Sequence, residues 1–385
     1  MRKTLVAMLP LAVSAALCLT SLPALADAAG PAVVAKADQR LWPEPVNTQN
    51  GFDKASRASL LSYVLVLQGM QKLSDADMLT SFKIKSLNRV SVEKWLKKEF
   101  EFSLLNYQRA SKTCVSTDWT CVGNPGNTSD LLKKAADWNQ NIPQDLLPWR
   151  DNLSRFSHAY IAEQLRLAAL FPKVSSEIDR FNDREWNGDA FEDRQFLLTF
   201  DDGPTAGNGT TDDTLRMLET NKRSAIFFVL GENFQNRSSK SSAAAMAGLY
   251  QNQCVASHGW EHQSHAKWEQ WQDSIKRTHA LLNTTFAKDT VYPYFRPPYG
   301  QRKADSGTFF QEQGLQVALW NLDSQDWNSH VTPDDIINRM ITLMLIKRHG
   351  IMLFHDIHPK AKSALPVMFD ALGKAVDWRD CHKAP

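Results

Sequence analysis

At 385 residues the chain exceeds one typical domain, and a composition of 43% hydrophobic and 22% charged residues argues against both an intrinsically disordered chain and a multi-spanning membrane protein. The formal charge is only +2, and Arg2 and Lys3 at the N-terminus account for it. The remainder is neutral and offers nucleic acid no electrostatic footprint.

Arg2 and Lys3 precede an uncharged apolar stretch from Leu5 to Leu22, then Ala24-Leu25-Ala26, a small-residue cleavage pattern. Residues 1–26 read as a secretory signal peptide. The stretch is marginal for a membrane span, and Cys18 follows Leu17 where a lipoprotein site needs a small residue. The expectation is an exported protein, periplasmic or extracellular, with no stable membrane anchor. Four cysteines remain: Cys114, Cys121, Cys254 and Cys381. In an oxidising compartment they admit two disulfides in three pairings. The favoured set joins Cys114 to Cys121 around a short Trp-containing loop and Cys254 to Cys381, tying the C-terminal tail to the second domain.

Residues 27–50, rich in Ala, Pro and polar side chains, read as a linker or extended lead-in. Helical spacings of three and four then run over Asp53 to Leu73, Ser91 to Lys112, Ser129 to Asn139 and Leu153 to Leu170. Asp53 and Ser91 are candidate N-caps, and Pro143, Pro148 and Pro172 interrupt or end helices. Residues 51–185 therefore form an expected α-helical domain of unassigned role, whose aromatic residues (Trp95, Phe100, Phe102, Tyr107, Trp138, Phe156) read more readily as core than as a glycan-binding face.

Beyond Asp193 the pattern changes. Short apolar runs at Gln195 to Phe200, Ser224 to Leu230, Gln253 to Ser257, Thr290 to Phe295, Gln316 to Leu322 and Gly350 to Phe354 alternate with amphipathic stretches near Thr211 to Thr220, Ser242 to Gln251, Trp268 to Phe286, Ser306 to Gln313 and Thr332 to Lys347. Alternation of this kind predicts an α/β fold with a largely parallel sheet, closed or nearly closed into a barrel over residues 190–385. Strand ends then converge on one mouth, where α/β proteins build their sites.

Those strand ends are chemically unusual. The first apolar run ends in Thr199-Phe200-Asp201-Asp202-Gly203-Pro204. Taken alone, an Asp-Asp strand end is more often a turn with helix-capping acids. The third run leads into His258-Gly259-Trp260-Glu261-His262, two imidazoles that share a face if the segment opens a helix. Two histidines and one carboxylate leave positions open for water and substrate, as a hydrolytic zinc centre requires, with His265 a substitute ligand. Arg296-Pro297-Pro298-Tyr299-Gly300 follows the fourth run, Asp323-Ser324-Gln325-Asp326-Trp327 the fifth, and His355-Asp356-Ile357-His358 the sixth.

In this order the five segments resemble the polysaccharide deacetylases of carbohydrate esterase family 4, the NodB-homology domain. The family patterns T-F-D-D-G-P, H-[ST]-x-x-H, R-P-P-Y-G, D-x-x-D-W and L-x-H appear as Thr199 to Pro204, His258 to His262, Arg296 to Gly300, Asp323 to Trp327 and Leu353 to His355. Gly259 departs from the usual Ser or Thr, and the run Ala206 to Thr210 is longer than usual. The resemblance covers about half the chain and leaves the helical half aside.

It implies a distorted (β/α) barrel deacetylase domain preceded by the small α-helical domain. It implies that Asp202, His258 and His262 hold a divalent metal, most often zinc, with Asp201 as general base. Arg296 would keep Asp201 ionised and aimed, and His355 paired with Asp326 would protonate the leaving group. The Tyr299 backbone N–H would stabilise the oxyanion, and Trp327 and Leu353 would line the groove. The implied reaction is hydrolytic removal of N-acetyl groups from an amino-sugar polysaccharide or oligosaccharide such as peptidoglycan, chitin or poly-N-acetylglucosamine. O-acetyl esterase action, as on xylan, and a non-catalytic glycan-binding module remain alternatives.

Overall fold

The computed structural model describes residues 33–170, 179–287 and 290–384. The signal peptide reading and Pro172 lie outside them. Five helices come first: α1 (Gln49–Gln71), α2 (Asp75–Ser81), α3 (Arg89–Ala110), α4 (Thr128–Gln140) and α5 (Leu147–Leu170). α1 is buried on nearly every side, packing against α3, α4 and α5. Its N-cap is Thr48, whose side chain accepts from the Gly51 N–H, and Asn88 rather than Ser91 caps α3. Asp53 and Ser91 therefore sit inside their helices. Pro148 starts α5 instead of interrupting it, because first-turn N–H groups have no helical partner to lose. Ahead of α1, in the segment read as a lead-in, Ala35, Ala37 and Trp42 are buried. The Cys114–Cys121 and Cys254–Cys381 disulfides are both formed.

The rest of the described chain alternates strands and helices: β1 (Glu185–Trp186), β2 (Gln195–Asp201), α6 (Thr210–Thr220), β3 (Ile226–Val229), α7 (Gly231–Ser238), α8 (Ala243–Leu249), β4 (Cys254–Ser257), α9 (Trp271–Thr285), β5 (Val291–Phe295), α10 (Gly307–Glu312), β6 (Gln316–Ala318), β7 (Leu322–Asp323), α11 (Pro333–Lys347), β8 (Gly350–His355), α12 (Lys360–Leu372) and β9 (Asp377–Trp378). All described pairings are parallel, in the order β1-β6-β5-β4-β3-β2-β8-β7, with β9 added beside β2. The sheet curls into an open half-barrel, its helices packed around it. The fifth apolar segment, from Gln316, is two strands, β6 and β7, rather than one.

Alternation along β2 sorts the side chains. Phe196, Leu198 and Phe200 face outward into a large apolar cluster shared with α1, α11 and α12, while Leu197 joins Ile226, Phe228, Ile351 and Leu353 inside the barrel. Thr199 and Asp201 keep the parity of Leu197, so the chemistry-bearing end of β2 faces the barrel interior.

The helical half meets the sheet half largely through the C-terminal end of α11. Helix ends leave carbonyls without partners. Here Ser56 Oγ donates to Leu345 O at 2.6 Å, and Asn106 Nδ2 donates to Ile346 O and Lys347 O at 3.1 and 3.0 Å. Arg348 then takes a left-handed backbone conformation (φ 63°), and its buried guanidinium pairs with Asp53 on α1 and with Asp193 at 2.6 and 2.7 Å. Replacing Asn106 by Ala leaves two buried carbonyls with fewer donors. We expect a loss of about 1–3 kcal/mol in urea unfolding.

Candidate active site and metal centre

Asp201 ends β2 and His355 ends β8, directly opposite each other in register. Parallel neighbours lie about 4.8 Å apart, so both groups project into the barrel mouth side by side. Each is oriented by a second group. The fully buried Arg296 donates from Nη1 to Asp201 Oδ1 (2.9 Å) and to Thr199 Oγ1 (2.6 Å), from Nε to Ala318 O (3.1 Å) and from Nη2 to Leu319 O (3.0 Å). Burial pulls this guanidinium below its ordinary pKa, and Asp201 opposes that pull. On the other side, Asp326 accepts from His355 Nδ1 at 2.7 Å and from the His355 backbone N–H at 2.9 Å. Burial works to lower the His355 pKa, but Asp326, with Asp202 and Asp201, raises it to about 10. The imidazole is thus held as a cation with Nε2 free to donate.

Asp202, His258 and His262 form a separate cluster beside this pair. His258 Nε2 and His262 Nε2 lie 3.3 and 3.4 Å from Asp202 Oδ1. The segment 258–262 is an irregular loop, not a helical turn, because Gly259 adopts φ +86°. The two rings converge nevertheless, with centroids 5.4 Å apart. His258 Nδ1 lies 2.7 Å from Arg296 O. A carbonyl only accepts, so Nδ1 carries a proton and Nε2 faces Asp202. Burial, with His258 next to it, lowers the His262 pKa to about 4, leaving it neutral.

These three groups fit a metal. Asp202 Oδ1 is buried and has no hydrogen-bond partner among the described residues. Two ligands each about 2.0–2.1 Å from one tetrahedral zinc ion stand about 3.3 Å apart, the separation found here. His265 does not join them. Its Nδ1 bonds Gln263 O and its Nε2 meets Ser274 Oγ, and a Cβ on Gly259 would come within 2.8 Å of its ring. The space next to Gly259 is thus taken by the His265 ring, which accounts for the departure from Ser or Thr at that position.

Tyr299 also has a left-handed backbone (φ 58°), and its ring, 54% exposed, stands edge-on to His262. Trp327, next to Asp326 in the chain, is 37% exposed, whereas Leu353 is buried inside the barrel. His349 is buried between Arg109 and Asp189 O, away from the mouth. Asn233 and Asp356, which sequence reasoning left without a site role, both contact the backbone around Asp202. Only the fold brings them there.

Residues 188–318 match the family model described as polysaccharide deacetylase, a span holding Asp201, Asp202, both metal-facing histidines and Arg296. The chain carries a polysaccharide deacetylase domain. Among similar proteins, a bifunctional xylanase/xylan deacetylase of Cellvibrio japonicus is 33% identical over 34% of this chain and 19% of its own length. A peptidoglycan-N-acetylglucosamine deacetylase of Bacillus cereus is 27% identical over 54% of this chain and 75% of its own. A chitin deacetylase of Amylomyces rouxii is 25% identical over 48% and 45%. The chain thus spans less than half the length of two of these three relatives. The solved structure of a peptidoglycan N-acetylglucosamine deacetylase superposes with a TM-score of 0.44 at 24% identity, over 51% of this chain and 90% of that one.

A raised folded pKa means that the deacetylase domain gains stability from the His355–Asp326 pair in full below the unfolded value of 6.5, and loses it as pH rises through about 10. In the metal-free protein, NMR titration of His355 should show an imidazolium persisting well above neutral pH. Asp326→Asn should bring that titration down toward 6.5.

Proposed function

We propose that the protein is a metal-dependent N-deacetylase of amino-sugar polysaccharide, such as peptidoglycan, chitin or poly-N-acetylglucosamine. One observation carries this reading: an anionic carboxylate fixed by a buried arginine and a cationic imidazole fixed by a buried aspartate, in register on adjacent strands, beside an Asp-His-His cluster. Amide hydrolysis needs a base for the attacking water and an acid for the departing nitrogen. A divalent metal held by Asp202, His258 and His262, with zinc the best fit to the spacing, would supply Lewis-acid polarisation of the acetyl carbonyl and of the water.

The remaining steps belong to the chain. Asp201, held in place by Arg296, takes the proton from the water as it attacks the acetyl carbon. The backbone N–H of Tyr299 donates to the developing oxyanion. His355, cationic through Asp326, delivers its proton to the sugar nitrogen as the C–N bond breaks, releasing acetate and a free amine. An amine anion is a very poor leaving group, so this proton transfer is as necessary as the attack. Trp327 and the exposed Tyr299 ring offer flat apolar faces to the sugar, and Leu353 backs the acetyl group from inside the barrel.

Export suits a substrate of this kind, and two disulfides suit an oxidising compartment. Relatives named for xylan, peptidoglycan and chitin all support a deacetylase, and they differ in the polymer.

Acetate release should be measured from peptidoglycan, chitooligosaccharides, poly-N-acetylglucosamine and acetylated xylan. Release from at least one N-acetylated polymer is expected, abolished by chelator and restored by zinc. Asp201→Asn and His355→Ala, shown to be folded by circular dichroism, should each lose on the order of 10²–10⁴ in rate. Release from acetylated xylan alone would replace the amidase reading with an O-acetyl esterase, and release from none would refute both.

A further inference from the structure

The aspartate at the centre of the metal cluster sits on strained backbone. Asp202 has φ +79°, a conformation that costs a non-glycine residue about 1–3 kcal/mol and persists only where the surroundings impose it. From the Asp201 carbonyl to the Gly203 carbonyl, three backbone polar groups pair with other parts of the main chain. Asp201 O accepts from the Asp356 N–H (3.3 Å), Asp202 N–H donates to Phe228 O (3.2 Å) and Gly203 O accepts from the Leu230 N–H (3.0 Å). Those three bonds are backbone to backbone. The peptide between Asp202 and Gly203 is instead met by two side chains. Asn233 Nδ2, on α7, donates to Asp202 O at 2.9 Å, and the Asp356 carboxylate packs directly against Gly203.

The approach of Asp356 is very close. A Cβ on Gly203 would lie 2.0 Å from Asp356 Oδ2 and 2.5 Å from Oδ1, so this position takes glycine alone. Asp356 is itself held. Thr211 Oγ1, at the start of α6, donates to Asp356 Oδ2 at 2.6 Å and accepts from the Thr205 N–H at 2.8 Å, while Thr205 Oγ1 accepts from the Thr211 N–H at 3.2 Å. The run Ala206 to Thr210 is closed at its base by this reciprocal pair.

We infer that Asp356, anchored by Thr211 and acting with Asn233 across one peptide plane, is a positioning residue that fixes the backbone of Asp202 so that its carboxylate meets His258 and His262. The inference rests on the metal-site reading under the proposed function. Among the described residues, the Asp356 side chain hydrogen-bonds Thr211 and none of Asp202, His258 and His262. It acts through the main chain of residues 202 and 203, and a change there rotates Asp202 away from the two imidazoles. Outer groups that orient metal ligands commonly contribute 10–100-fold to affinity.

The test is a zinc titration of the metal-free full chain by isothermal calorimetry, with thermal unfolding of the metal-free proteins recorded alongside. Asp356→Asn, Asn233→Ala and Thr211→Val should each bind zinc roughly 10–100-fold more weakly than wild type. Thr211→Ser, which keeps the hydroxyl and loses only the methyl that Thr211→Val retains, should bind within a few-fold of wild type. Wild-type affinity in Asn233→Ala and Thr211→Val overturns the inference, even if Asp356→Asn fails to fold. So does equal weakening in Thr211→Ser and Thr211→Val, which would make the effect one of packing. Failure of the wild type to release acetate while these affinities follow the expected order would count against the proposed function and leave the positioning role standing.

Discussion

A guanidinium buried inside a curled parallel sheet is the constraint on which the rest of the site depends. Arg296 is fully enclosed and lies 4.0 Å from the Phe228 ring centre and 5.6 Å from that of Trp320. A charge in such surroundings is tolerable only if its donors are satisfied and its charge is matched. Asp201 matches the charge, and Thr199, Ala318 and Leu319 accept the remaining bonds. These partners come from β2 and from the chain leaving β6, so satisfying Arg296 sets the relation of those segments to β5. Its own carbonyl orients His258. One residue thereby couples the carboxylate of the proposed base to the tautomer of a proposed metal ligand.

The pair Asp201-Asp202 shows how adjacent identical residues acquire different chemistry. Strand parity sends Asp201 inward with Leu197 and Thr199, onto Arg296. Asp202 lies one residue past the end of β2, where the chain leaves the extended conformation and its carboxylate swings toward the histidine loop. One carboxylate is locked by a cation and the other is left with a buried oxygen that has no donor among the described residues. Separate roles follow from separate partners rather than from the residue type.

Much of this was legible in the sequence because the informative residues stand at the ends of apolar runs. β2, β3, β4, β5 and β8 fall within a few residues of their expected bounds, and Asp201, Arg296, Asp326 and His355 meet in the pairs their motifs suggested. What was not legible has physical causes. β1 and β9 are two residues long and carry no period. α12 contains Pro366, and α7 is short and polar, so neither offers a clear helical stripe. The loop conformation at His258 to His262 hinges on the φ of Gly259, which a spacing of four does not encode. Asp53 was read as a cap because the sequence gives no sign of Arg348, 295 residues away. Asp356 and Asn233 likewise take their meaning from the turn at Asp202, which only the folded chain brings to them.

In the proposed site Asp202, His258 and His262 hold a metal while Asp201 stays outside its coordination. Anomalous diffraction at the zinc edge from zinc-loaded crystals tests it directly. One strong site is expected about 2.0–2.2 Å from one oxygen of Asp202 and from Nε2 of both histidines, with Asp201 still on Arg296. Zinc bound through Asp201, or at another set of residues, would contradict it.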